Sequence, residues 1–182
     1  PQKLNTICEE LIIEKGNNIL DVGTGTGVMI PHLSKRVGKT GRVMAVDISE
    51  KMIEMAKKKH PVNNFPNVTF KVEDIHDYSF KEKFDIILCY SCFPHFLRQE
   101  ETVRRLANGL RQGGKLMIVH SQSRDAKNQL HCQCDETVSR DRLPPLKEIS
   151  KMMRESGLTI KKTLDNDEMF YIMGHNSNHV QD

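Results

Sequence analysis

Short runs rich in β-branched and other apolar residues alternate with longer amphipathic segments from residue 18 to residue 121. The short runs predict strands at 18–23, 42–47, 68–73, 84–91 and 114–121. The amphipathic segments predict helices at about 28–37, 49–60 and 98–111. Because strands that alternate with helices form parallel sheets covered on both faces, we expect an α/β fold.

The pattern changes after Ser121, where residues 122–143 are polar and irregular and predict a long inserted loop. A helix with prolines at its entrance is predicted at 143–157. Two closing strands at 158–165 and 168–175 predict a hairpin, so the last strand should run antiparallel to the others. At the other end, residues 1–15 predict an N-terminal helix, and the whole chain, 1–182, fits a single domain.

Composition excludes several classes of partner. A net charge of +3, from 27 basic and 24 acidic residues, is too small to indicate nucleic acid. No apolar run reaches the roughly 18 residues of a membrane span, and five cysteines without framework spacing fit a reducing compartment. We therefore expect a cytoplasmic protein that acts on a small molecule, with no nucleic acid or membrane partner and with its oligomeric state unspecified. The chain begins at Pro1 instead of Met, as expected if native N-terminal residues are missing.

The stretch ILDVGTGTG, residues 19–27, is the most specific motif. A buried strand ends at Asp21, and three alternate glycines then let the backbone turn tightly and approach a ligand at the start of a helix. A dinucleotide fingerprint would need glycine at position 28 or 30, where Val28 and Ile30 stand, and the Gly-Lys-Ser/Thr of a phosphate-binding loop is absent. The motif predicts a nucleotide-like ligand without a diphosphate.

On this motif and the acids that follow the next two strands, the chain resembles the class I S-adenosylmethionine-dependent methyltransferases from residue 16 to residue 175. The resemblance implies a single Rossmann-like domain with a seven-stranded, mostly parallel sheet in the order 3-2-1-4-5-7-6. It also implies S-adenosylmethionine as cofactor and S-adenosylhomocysteine as product, with residues 1–15 helping to close over the cofactor. The residues it places at the cofactor are Asp21, Gly23, Thr24, Gly25, Gly27, Asp47, Ile48, Met52, Asp74, Ile75 and Tyr90.

The acids have distinct expected roles. Asp47 ends the second strand, where its carboxylate can accept hydrogen bonds from both ribose hydroxyls. The family acid that matches Asp21 helps hold the methionyl amine, and the one that matches Asp74 accepts from the adenine amino group. One such acid alone is more often an ordinary strand-end residue. Three of them at successive strand ends indicate one ligand crevice.

The acceptor side is expected at the ends of the fourth and fifth strands. Phe93 and Phe96 are candidate acceptor contacts, and His95 and His120 are candidate catalytic bases because imidazole titrates near neutrality. The alternative is that His95 caps a helix and His120 is a neutral strand-end residue. The segment CYSCFPHF, residues 89–96, lacks the Pro-Pro-aromatic motif of enzymes that methylate exocyclic or amide nitrogens, which favours a small-molecule acceptor.

The stretch HSQSRDAKNQLHCQC, residues 120–134, is rich in histidine and cysteine. If it contains a helical turn, Arg124, Asn128 and His131 share one face and could contact an anionic or hydrogen-bonding acceptor. A metal or metalloid site is the alternative, but the adjacent His131 and Cys132 suit a tetrahedral ion poorly, and we assign no metal ligand.

Two other function classes stay open for the whole protein: a nucleotide-dependent oxidoreductase, and a non-catalytic S-adenosylmethionine-binding module.

Overall fold

A computed structural model describes residues 2–81, 83–122 and 142–177 of the chain. The α-helices of these residues are α1 (Gln2–Leu11), α2 (Ile30–Val37), α3 (Glu50–Lys59), α4 (Gln99–Gly109) and α5 (Leu146–Glu155). A 3₁₀ helix spans Phe93–His95. The strands are β1 (Asn18–Val22), β2 (Arg42–Asp47), β3 (Val68–Val72), β4 (Phe84–Tyr90), β5 (Leu110–His120), β6 (Leu158–Asp165) and β7 (Phe170–Asn176).

The described strands form one seven-stranded sheet in the order β3-β2-β1-β4-β5-β7-β6. Strands β1 to β5 are parallel, and β7 runs antiparallel to both β5 and β6. The sheet order and the antiparallel last strand that we expected are confirmed. Because the carboxyl ends of the parallel strands meet at one edge, this topology brings the glycine turn and the acids of the sequence motif together.

The core lies on both faces of the sheet, as the near-continuous apolar strands predict. On one face, Leu20 and Ile87 pack in the same cluster as Leu106 of α4 and Ile149 of α5. On the other, Ile19 and Leu88 pack with the apolar faces of α1 and α2, which contribute Ile7, Leu11, Leu33 and Val37. Helices thus cover both faces of the sheet.

Helix α1 packs on the face of the sheet that carries Ile19 and Leu88. It ends at Leu11, before Ile12 takes a left-handed φ of 49°, so it is shorter than the predicted 1–15. The Nζ atom of Lys3 donates to the carbonyls of Ser121 at 3.1 Å and Glu168 at 2.8 Å. These contacts tie the start of α1 to the end of β5 and to the β6–β7 turn.

Strand β5 begins earlier than the sequence predicts, at Leu110 instead of 114. Its early part pairs Leu110 with Phe84, and a register shift follows before Ile86 pairs with Lys115. Gly113, with a left-handed φ of 74°, and Gly114 lie in this irregular part of the strand. Within the described ranges, the helices are all too short or too polar to cross a membrane.

Candidate functional site

A cavity of about 540 Å³ opens at the carboxyl ends of β1, β2, β3 and β4. Seven of the residues predicted to contact a cofactor line it: Gly23, Gly25, Asp47, Ile48, Met52, Asp74 and Ile75. Of the predicted acceptor side, His95 and Phe96 line it. Its volume lies within the roughly 300–1,000 Å³ that is usual for small-molecule sites.

The glycine turn that follows β1 forms part of the cavity wall. Gly23 and Gly25 have left-handed φ angles of 63° and 56°, which glycine adopts without steric cost. A Cβ atom added to Gly23 would lie 2.6 Å from the Cβ of Cys92, so a larger residue does not fit there. The amide of Thr24 donates to the carbonyl of Val46 at 3.0 Å, and this bond fixes the turn to β2.

Two backbone amides orient the carboxylate of Asp47. Its Oδ2 accepts from the amide of Gly25 at 2.9 Å, and its Oδ1 accepts from the amide of Ser49 at 2.9 Å. Ser49 in turn is the N-cap of α3, where its side chain accepts from the amide of Met52 at 3.4 Å. Since a carboxylate oxygen can accept more than one hydrogen bond, both oxygens retain acceptor capacity for ligand hydroxyls.

The side chain of Asp21 is 1% exposed and lies behind the glycine turn. Its Oδ2 accepts from the hydroxyl of Thr24 at 2.7 Å. Burial raises the pKa of Asp21 to about 7, the bond from Thr24 opposes that rise, and the charge of Asp47 adds to it. A nearby cation would favour the ionised carboxylate, which suits the role that we predict for this acid.

The loop after β3 holds the Asp74 side chain at the cavity wall. Its Oδ1 accepts from the amide of His76 at 2.8 Å, and its carbonyl accepts from the amide of Tyr78 at 2.9 Å. The Nε atom of Arg105 donates to the carbonyl of Ile75 at 3.0 Å. These bonds fix the loop, and Oδ2 of Asp74 retains the capacity to accept a hydrogen bond from a ligand.

Like Asp21, three other predicted cofactor residues are not among the described residues that line the cavity. Thr24 is 8% exposed and its hydroxyl bonds to Asp21. Gly27 is buried, and a Cβ added there would lie 2.7 Å from Cδ2 of His60. The hydroxyl of Tyr90 donates to Oγ of Ser121 at 3.0 Å and so joins the ends of β4 and β5. For these three residues, direct cofactor contact stays a prediction.

The acceptor-side residues divide into cavity wall and core. His95 is exposed at the end of the 3₁₀ helix and lines the cavity, as does Phe96. Phe93 is 0% exposed, belongs to the core cluster and meets Phe96 edge-on with ring centroids 6.1 Å apart. His120 is 1% exposed and its ring meets Phe170 at 6.2 Å. The described geometry therefore places His95, and not His120, at this cavity.

Three predicted acceptor contacts, Arg124, Asn128 and His131, lie outside the described residues, as do Cys132 and Cys134. Across residues 2–81, 83–122 and 142–177, no group of three or more His, Cys, Asp or Glu side chains could hold a metal ion. The substrate-loop interpretation of residues 120–134 and its metal alternative therefore stay predictions.

Sequence reasoning missed a second wall of the cavity, formed by His76, Leu97 and Arg98. Leu97 is 93% exposed, and Arg98 forms an ion pair with Glu101 at 2.9 Å. Nε2 of His76 lies 3.2 Å from the hydroxyl of Thr102 in α4. No local motif marks these residues, because the packing of α4 beside the loop after β3 brings them together.

A family model described as a methyltransferase domain matches residues 13–174. The chain belongs to the class I S-adenosylmethionine-dependent methyltransferases. The resemblance stated from the motifs is confirmed, and S-adenosylmethionine is the cofactor of this methyltransferase domain.

Two curated relatives show the level of similarity. Malonyl-[acyl-carrier protein] O-methyltransferase 1 of Ilyobacter polytropus is 35% identical over 103 residues, covering 57% of this chain and 37% of that protein. The ubiquinone biosynthesis O-methyltransferase of Coxiella burnetii is 33% identical over 120 residues, covering 65% of this chain and 49% of that protein. The methyltransferase chain thus spans less than half the length of these relatives.

Solved structures share the fold. The YcgJ protein from Bacillus subtilis superposes with a TM-score of 0.79 at 18% identity, covering 98% of this chain and 99% of that one. Coclaurine N-methyltransferase, bound to N-methylheliamine and S-adenosylhomocysteine, superposes with a TM-score of 0.61 at 28% identity. That match covers 68% of this chain and 36% of the other. The fold is therefore one that holds the product form of the cofactor in a similar protein.

Proposed function

We propose that this protein transfers the methyl group of S-adenosylmethionine to a small-molecule acceptor at the 540 Å³ cavity. The observation that carries the proposal is the convergence of Gly23, Gly25, Asp47 and Asp74 on this one cavity, at the strand ends of a methyltransferase sheet. In open parallel sheets, ligands bind in such a crevice. The named relatives act as O- and N-methyltransferases, and methyl transfer is what they share.

The hydrogen-bonding groups of the cavity fit the cofactor. We infer that Asp47, already oriented by Gly25 and Ser49, accepts hydrogen bonds from the two ribose hydroxyls. Oδ2 of Asp74 would accept from the adenine amino group, and the amide of Ile75 would donate to the adenine ring. Ile48 and Met52 supply apolar contact beside them. The buried acid Asp21 favours a positive group, which matches the methionyl amine.

When bound, S-adenosylmethionine supplies a methyl group on a positively charged sulfur, which is already a strong electrophile. The protein therefore needs mainly to align the acceptor opposite the leaving sulfur and to exclude water. Phe96 and Leu97 give the outer part of the cavity apolar surface for this purpose. His95 is the candidate base for an acceptor that carries a proton, because it lies at the cavity and an imidazole nitrogen can accept a proton.

Isothermal titration calorimetry with S-adenosylhomocysteine and with a nicotinamide dinucleotide tests the cofactor assignment. We expect binding of the first and none of the second. Binding of the dinucleotide alone would reject the methyltransferase proposal in favour of a nucleotide-dependent oxidoreductase.

Transfer from methyl-labelled S-adenosylmethionine into a cell extract tests the acceptor class. After the reaction is stopped, label in the fraction that passes a filter of a few kilodaltons supports a small-molecule acceptor. Label only in precipitated protein or nucleic acid contradicts it. Binding of S-adenosylhomocysteine without transfer to any fraction would identify a non-catalytic binding module.

A further inference from the structure

The ring of His60, just beyond the last turn of α3, occupies the space over Gly27 at the end of the glycine turn. A Cβ atom added to Gly27 would lie 2.7 Å from Cδ2 and 3.0 Å from Nε2 of His60. Real Cβ contacts do not reach such distances, so the pair fits only because residue 27 has no side chain. The third glycine of the motif therefore contacts a protein side chain.

The His60 ring is itself held in place. The amide of His60 donates to the carbonyl of Ala56 at 2.8 Å, which anchors the residue to the end of α3. Its ring meets that of Phe65 edge-on, with centroids 5.1 Å apart and planes at 88°. Burial lowers the pKa of His60, while hydrogen bonds with the backbone of Thr26 and Gly27 act in the opposite direction. The ring thus lies between Phe65 and the backbone of the glycine turn.

A chain of hydrogen bonds connects this contact with the cavity. The amide of Gly27 donates to the carbonyl of Thr24 at 2.9 Å, and the amide of Thr24 donates to the carbonyl of Val46. The next residue, Gly25, donates to Oδ2 of Asp47. A displacement of Gly27 would therefore change the position of Gly25 and of its bond to the Asp47 carboxylate.

We propose that His60 is a positioning residue that holds the glycine turn in the shape that Gly25 and Asp47 present to the cofactor. This inference rests on the proposed function, because it assigns His60 to the same cofactor site. His60 lies outside the cavity wall formed by the described residues, so it acts through Gly27 and not by touching the ligand. Groups that orient a binding residue in this way commonly change affinity by about tenfold or more when they are removed.

The first test compares the affinity of four proteins for S-adenosylhomocysteine by calorimetry: the native chain, His60→Ala, His60→Phe and His175→Ala. We expect His60→Ala to weaken binding about tenfold and His60→Phe, which retains a ring over Gly27, to recover most of the loss. His175 is the matched control because it is another half-buried histidine, lies on β7 in register with Lys115 of β5, and is not among the described residues that line the cavity. Its replacement should leave the affinity unchanged.

The outcomes separate this inference from the proposed function. If the native chain does not bind S-adenosylhomocysteine, the proposed function fails. If the native chain binds and His60→Ala binds equally well, the positioning role alone is wrong. A lower thermal unfolding midpoint for His60→Ala at unchanged affinity would show that His60 only stabilises the fold.

A double-mutant cycle with Gly27→Ala provides a test that does not depend on one variant. In the native background the added methyl group meets the His60 ring, whereas in the His60→Ala background that clash is absent and only the strain of the left-handed φ of 79° remains. We expect the loss of affinity in the double variant to be several-fold smaller than the product of the two single losses. If the loss of affinity in the double variant equals the product of the two single losses, the contact between His60 and Gly27 is not the means by which His60 positions the turn.

Discussion

Replacing Asp21 by Asn removes a carboxyl group that is 1% exposed and whose pKa burial raises from 3.8 to about 7. The folded native protein holds the Asp21 proton up to about pH 7, while the unfolded native chain releases it near 3.8. Between these values the folded state binds more protons, so the contribution of Asp21 to stability falls as the pH rises. Below both values the two states are protonated alike, and above both the full cost of the buried charge is present.

The size of the effect follows from the pKa of about 7. Each pH unit between the two pKa values changes the free energy of unfolding by about 1.4 kcal/mol. Of the range from about pH 5 to pH 8, roughly two pH units lie below the pKa of about 7 that Asp21 has in the folded protein. Over this range the contribution of Asp21 to the free energy of unfolding therefore changes by about 3 kcal/mol. We therefore expect Asp21→Asn to become more stable relative to the native protein by about 3 kcal/mol over this range.

Urea denaturation of both proteins at several values between pH 5 and pH 8 measures this difference. Subtracting the two stabilities at each pH removes the titration of all other groups. Any constant cost of the Asn amide, whose oxygen can still accept from the Thr24 hydroxyl that now bonds to Asp21, shifts this difference equally at every pH and leaves its pH dependence unchanged. A difference that stays constant within about 0.5 kcal/mol, the usual error of such additivity, would refute the raised pKa.

The same carboxyl group predicts a proton release on binding. If the positive amine of S-adenosylhomocysteine lies near Asp21, binding should favour the ionised form and release close to one proton at about pH 6. Calorimetry in buffers with different ionisation enthalpies counts these protons. The native protein should release a proton that Asp21→Asn does not, and equal counts in both would place the amine elsewhere.

Three further substitutions test the site and its supports. Asp47→Asn puts an NH₂ group opposite the amide of Gly25 or Ser49, so we expect the affinity for S-adenosylhomocysteine, measured by calorimetry, to fall roughly 10- to 100-fold. An affinity equal to that of the native protein would contradict the role of Asp47. Gly23→Ala adds a methyl group 2.6 Å from the Cβ of Cys92 at a residue whose φ is 63°. We expect this change to lower the free energy of unfolding, measured by urea denaturation, by about 2–5 kcal/mol. An unchanged urea midpoint would refute the tight contact. Phe93→Ala should cost about 3–5 kcal/mol of stability because the ring is fully buried, and Phe96→Ala less than half as much; equal losses would contradict the division between core and cavity wall.

Local patterns predicted the sheet well because their causes are local. The strands predicted at 42–47 and 158–165 have those bounds in the structure, since side chains alternate with the strand period and turn residues mark the ends. The early start of β5 at Leu110 escaped prediction. The apolar run begins only at 114, and the pairing of Leu110 with Phe84 on β4 extends the strand back through Gly113 and Gly114.

The facing direction of individual side chains was less predictable than the elements that carry them. Phe93 and Phe96 are three residues apart in one short segment, and both were expected to contact the acceptor. The 3₁₀ helix turns Phe93 into the core and leaves Phe96 at the cavity. His95 and His120 divide in the same way, because the burial of His120 depends on β7, where Phe170 packs against its ring.

The sequence by itself determined the α/β order of elements, the glycine turn and the acids that follow successive strands, because each depends on residues close together in the chain. Only the tertiary structure decided which of these residues reach the cavity. Gly27 belongs to the motif by spacing, yet α3 and the loop that contains Phe65 bring the His60 ring over it. Contacts between distant segments follow from the packing of whole elements, which residue spacing within one segment does not specify.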